Sequence, residues 1–154
     1  MTTIHTLTES VLPASVALAA AHDFSERRAD VFPAVSPEYF EIHELGDTWD
    51  DITEGTKAAI GVNWERCRYD WSQAGSVKAI VTDSNVYAVP GSSWELRATP
   101  IEDGSRVEMI WTRDFARGPR GATFGTLYRL VGKPIFRRYA RKVLDNLQKL
   151  EQPE

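Results

Sequence analysis

The run Ser92–Arg113, SSWELRATPIEDGSRVEMIWTR, constrains the fold more than any other stretch of the chain. Its apolar residues alternate on both sides of Glu102-Asp103-Gly104. Alternation is the period of a half-buried strand, and Asp-Gly between two such runs marks a hairpin. On the pleat, Trp94, Leu96 and Ala98 share one face, and Val107, Met109 and Trp111 share the matching face across the turn. Glu95, Arg97, Arg106 and Glu108 take the other side, with Ile110 its apolar exception. One face is therefore buried and rich in tryptophan and methionine. Two readings stay open: these side chains fill a solid core, or they line a space for a ligand.

The rest of the chain reads around this hairpin. Ile4–Leu12 is β-branched and ends at Pro13, which predicts a first strand. Ala14–Phe24 is dense in alanine, and Ser25–Phe32 offers Ser25 as a helix N-cap and Pro33 as a stop; two short helices are expected. Strands then follow at short intervals. YFEIHEL and TWDDITEGT flank Gly46-Asp47, VNWERCRYDW and SVKAIVTDSNVYAV come next, and Pro90-Gly91 turns the chain into the opening hairpin. About seven strands with short connections require an antiparallel sheet.

From Gly121 to Glu151 the period is helical. Phe124, Leu127, Val131 and Ile135 share one face, and Phe136, Tyr139, Ala140, Val143, Leu147 and Leu150 share another. The change of face falls at Gly132-Lys133-Pro134, where proline cannot donate to the helix ladder. A kink or one-residue bulge is predicted there, so that both stripes reach one surface.

Bulk properties narrow the function. The chain has 154 residues, enough for one domain, expected over 1–151 with 152–154 as a frayed tail. With a single cysteine, Cys67, and an opening MTTIHTLTES that lacks a secretory pattern, the cytoplasm is the expected compartment. The three histidines are scattered, so no metal and no cofactor is expected. A net charge of −4 argues against nucleic acid as a partner. Glu38–Glu54 carries seven acids and no Lys or Arg, and Arg113–Lys142 carries nine Lys/Arg and one acid. Arg129, Lys133, Arg137, Arg138, Arg141 and Lys142 form either a solvated helix face or a peripheral contact for an anionic surface.

Strand VNWERCRYDW poses a conflict, because each of its faces carries a charge. Either face puts a charge near the interior, where it must be paired unless a bulge switches the phase mid-strand; Cys67, Tyr69 and Trp71 are placed inward. Tyr69 then offers a hydroxyl for a ligand oxygen, or satisfies itself on backbone. DSNVY, with Asp83 and Asn85, reads as turn chemistry. No nucleophile elbow, phosphate loop or dinucleotide fingerprint is present, and Cys67 reads as an inert buried thiol. Any catalysis falls to general acid–base groups, with Tyr69, Asp70 and Arg113 the candidates.

Strand, two short helices, an antiparallel run and one long terminal helix: this order resembles the START-like superfamily, also called Bet v 1-like or SRPBCC, the polyketide cyclase/dehydrase and lipid-transport group. The resemblance is carried by Leu12–Ser36 and by the hairpin pattern at Thr99, Pro100, Gly104, Ser105, Arg106 and Val107. It implies an α+β helix-grip fold, in which a curved antiparallel sheet of about seven strands wraps a long C-terminal helix around a cavity. It carries no shared catalytic set. The expected partner is a hydrophobic or aromatic small molecule, lipid- or polyketide-like. The expected contacts are Tyr69, Trp71, Trp94, Leu96, Met109 and Trp111 from the sheet and Leu127, Val131 and Ile135 from the helix. Two alternatives are a cyclase or dehydratase using the same cavity, and an interaction module using the basic helix face.

Overall fold

Period-two segments become strands and the two alanine- and arginine-bearing segments become helices. The order is β1 (Thr2–Ser10), α1 (Ala14–Ala21), α2 (Arg28–Val31), a 3-10 turn at Pro37–Tyr39, β2 (Phe40–Leu45), β3 (Trp49–Ala58), β4 (Gly61–Asp70), β5 (Ser76–Ser84), β6 (Ser93–Ile101), β7 (Gly104–Arg113) and α3 (Pro119–Glu151). The computed structural model describes residues 1–59 and 61–152, so residues 153–154 of the expected tail lie outside the described residues. The strands form one curved antiparallel sheet in the order β1-β7-β6-β5-β4-β3-β2, gripping α3. Among the described residues, no helix is long and apolar enough to cross a membrane.

The opening hairpin pairs as its alternation requires. Trp94 faces Trp111, Leu96 faces Met109 and Ala98 faces Val107, and all six are buried. Gly104 holds a φ of +152°, and a Cβ there would collide with the Ser10 carbonyl, so the tight turn needs glycine. α1 stacks Ala14, Ala17 and Ala21 on one face, small enough to sit close against β6 and β7.

Two expectations are corrected. The first concerns β4. Its pairing with β3 is unbroken from Trp49↔Asp70 to Ala58↔Gly61, so β4 never changes phase. The register shift lies against β5, where Arg66 faces Asp83 and Cys67 faces Val81, leaving Thr82 as the extra residue. Glu65 therefore points inward with Cys67 and Tyr69, and its charge is met by Arg113.

The second concerns which face of α3, an α-helix continuous from Pro119 to Glu151 with Pro134 inside it, is buried. Leu127, Val131 and Ile135 are 50%, 43% and 54% exposed. The buried stripe is Gly121, Gly125, Tyr128, Gly132, Ala140, Val143, Leu144 and Leu147. It continues the second predicted stripe backward at helical spacing. Glycines bring the helix close to its neighbours: a Cβ at Gly132 would stand 2.7 Å from Ile4 Cδ1, and one at Gly121 would collide with the Ala116 carbonyl.

Candidate functional site

A cavity of about 300 Å³ lies between the inner face of the sheet and the middle of α3, at the small end of the range for ligand pockets. The alternation of β4, β6 and β7 aims Tyr69, Trp94 and Trp111 into its wall, and α3 adds Phe136 and Tyr139. Edge-to-face contacts fix these rings. Trp94 meets Phe32 at 6.0 Å and Tyr69 at 6.4 Å, and Trp111 meets Phe136 at 4.7 Å in a tilted pair.

Buried charges interrupt the aromatic wall. Arg28, from α2, is 5% exposed and reaches Glu54 of β3 through Nε (3.2 Å) and Nη2 (3.0 Å). The same guanidinium stands 4.2 Å over the Phe32 ring and 4.8 Å over the Phe24 ring. Tyr69 donates its hydroxyl to Glu54 and accepts from Arg28 Nη2 at 3.1 Å. Burial works against the Arg28 charge, yet Glu54 outweighs it and the guanidinium pKa is raised. Burial, reinforced by Glu54, pushes the Tyr69 hydroxyl well above its usual range, which keeps it a neutral donor.

Glu65 sits directly across from Glu54 in the β3–β4 register. Its partner is Arg113 at the end of β7, with 3.7 Å between Glu65 Oε2 and Arg113 Nη1. The Glu65 side chain lines the cavity and keeps 26% of its surface open. Burial raises its carboxyl pKa, with Arg113 pulling the other way. Arg113 also lies 4.5 Å over the Tyr87 ring.

The residues expected to form the site fall into three groups. Tyr69, Trp94, Trp111 and Ile135 line the cavity. Leu96 and Met109 are fully buried core behind it, and Trp71 stacks on His22 at 4.1 Å outside it. Leu127 and Val131 are exposed and stand apart from its wall. Of the acid–base candidates, Tyr69 and Arg113 reach the cavity, whereas Asp70 is exposed and accepts hydrogen bonds from Ser72. Arg28, Glu54 and Glu65 were missed. Glu54 and Glu65 carry a signal, since each shares a pleat face with an inward residue of its own strand, Ile52 and Cys67. Cys67 is a buried free thiol, and burial pushes its pKa well up. Asn85 ties the chain locally, accepting from Trp64 N at 2.9 Å and donating to Val62 O at 2.7 Å. Arg129, Lys133, Arg137, Arg138, Arg141 and Lys142 are all exposed.

No protein-family model and no curated protein matches the sequence. Solved structures match its fold along nearly the whole chain. A Thermus thermophilus protein superposes with a TM-score of 0.78 at 9% identity, covering 98% of this chain and 100% of its own. The Zhui aromatase/cyclase from a Streptomyces species gives 0.71 at 18% identity, covering 99% and 96%. A START superfamily protein from Mycobacterium smegmatis gives 0.63 at 9% identity, covering 96% and 92%. At these identities the likeness is one of fold.

Proposed function

With the START-like helix-grip fold as premise, we propose that this chain binds a hydrophobic or aromatic small molecule in the cavity between sheet and α3. One observation carries the reading: a space of about 300 Å³ with aromatic walls on both sheet and helix. An all-structural core closes such gaps, because unfilled volume costs stability. Tyr69, Trp94, Trp111 and Ile135 are the proposed contacts, joined by Phe136 and Tyr139; Leu96, Met109 and Trp71 support the wall from behind or beside it. Action in the cytoplasm is part of the same reading, and a buried free Cys67 is compatible with a reducing compartment. Native mass spectrometry of the purified chain tests it. An apolar molecule should copurify or be taken up from a panel, and uptake should vanish in Ala79→Phe, which fills the cavity from its β5 wall. A chain that takes up nothing across a broad panel would refute the reading.

A second reading, a cyclase or dehydratase on a polyketide-like substrate, is favoured by the carboxyls of Glu54 and Glu65 standing opposite each other beside the Tyr69 hydroxyl. Two carboxyls in different environments are an acid–base pair in outline. One is held by an arginine fork; the other has its pKa raised by burial. Turnover of a poly-β-ketone, lost in Glu65→Gln with binding retained, would establish it. Binding without turnover would leave carriage.

A further inference from the structure

The two charge pairs in the cavity wall differ in how completely they are satisfied. Arg28 has five N–H donors, and every nitrogen that carries them is engaged. Nε and Nη2 go to Glu54, Nη1 goes to the carbonyls of Ala20 (3.3 Å) and Ala21 (3.0 Å), and Nη2 also goes to Tyr69. Glu54 in turn accepts from Arg28 and Tyr69. All of its N–H and O–H donors are used within the network, so it has none left over for a ligand.

The Glu65–Arg113 pair is open. At 3.7 Å the contact attracts but is too long for a hydrogen bond. Glu65 Oε2 and Arg113 Nε are both buried without a hydrogen-bond partner among the described residues. A buried polar group in that condition costs free energy that a bound partner returns. The wall opposite is aromatic, with Trp111 and Tyr87 nearby.

We propose that the Glu65 carboxyl, backed by Arg113, is the recognition point for a hydroxyl on a neutral aromatic ligand, so that the cavity selects phenol-like molecules over plain hydrocarbons and over charged ones. The inference rests on the ligand-binding reading above. A carboxylate absorbs a hydroxyl donor readily. The wall already balances each cation with a carboxylate, so a ligand of either charge would bury a net charge with no counter-charge of its own. A neutral donor meets neither penalty.

The test is an NMR titration of the full chain with 2-naphthol, naphthalene, 2-naphthoate and 2-naphthylmethylammonium. Naphthol should bind at least about tenfold more tightly than the other three, the scale of one hydrogen bond to a charged acceptor. In Glu65→Leu with Arg113→Leu, naphthalene should still bind and the preference should shrink to about twofold or less. The double change is used because Glu65→Leu alone strands the Arg113 charge. Should the double variant fail to fold, the comparison within the unaltered chain decides by itself. Equal affinity for naphthol and naphthalene, a preference that survives the double change, or tighter binding of either charged probe overturns the inference and leaves the ligand-binding reading standing. If none of the four binds, the inference falls, and the broad-panel mass spectrometry decides the ligand-binding reading separately.

Discussion

At the scale of single residues, Arg28 shows how a buried cation is held: a two-point fork on Glu54, two backbone carbonyls and a tyrosine hydroxyl. Removing one partner of such a pair costs about 3–5 kcal/mol, while replacing both by apolar groups costs far less. Glu54→Leu should therefore destabilise strongly in urea, and adding Arg28→Met should recover much of the loss. His22 gives a pH signature. Burial against Trp71 lowers its pKa below the usual 6.5. Below 6.5 the unfolded chain takes up a proton that the folded chain still refuses, so ν for the unfolded state is larger and stability rises with pH. The His22 contribution is complete above 6.5 and erodes as pH falls toward the folded value. Thermal unfolding midpoints should decline over that acid range, and His22→Phe should flatten the decline. Neither residue was legible beforehand. Arg27 and Arg28 are adjacent in SERRADVF, yet Arg27 pairs with Glu151 near the surface and Arg28 with Glu54 inside. What separates them is a partner far along the chain, and local pattern holds no record of it.

At the scale of elements, strands announced themselves and the long helix misdirected. In β6 and β7 alternation alone fixes which side chains turn inward, because the pleat has a period of two and the outward positions carry charges. In α3 the apolar residues Leu127, Val131 and Ile135 look like a core stripe, whereas the N-terminal half docks through a stripe that includes Gly121, Gly125 and Gly132. Hydrophobicity marks burial when space must be filled; glycine marks it when backbone must come close. Gly→Ala on an open helix face stabilises by about 1 kcal/mol. At Gly121 the added methyl meets a backbone carbonyl, which cannot swing aside, so overpacking of about 1–3 kcal/mol outweighs that gain. Gly121→Ala should lower the unfolding temperature, while Leu127→Gln and Val131→Gln should each stay within about 0.5 kcal/mol of the parent. The reverse order would mean that α3 buries its leucine face.

At the scale of the whole molecule, the sheet and α3 leave space between them at the middle of the helix, where the charge pairs lie. Aromatic rings hold the gap open: Trp94 is braced by Phe32, and Trp111 by Phe136, so neither indole collapses into the space. A fold arranged in this way forgoes packing energy that an occupant can return. Binding to the folded state alone adds RT ln(1 + [L]/Kd), about 2.7 kcal/mol at about a hundred times Kd. A fitting ligand should thus raise the unfolding temperature in a concentration-dependent manner. Ala79→Phe provides the control, because Ala79 is buried and lines the cavity. A ring placed there occupies the same volume covalently, so the free variant should unfold at or above the parent temperature and show no shift with ligand. A shift of parental size in that variant would place the binding energy elsewhere on the molecule. A variant that is both unresponsive and much less stable would show that the space is smaller than a phenyl ring requires. The unfolding curves with and without ligand separate these outcomes, and only the first agrees with a cavity kept at the expense of stability.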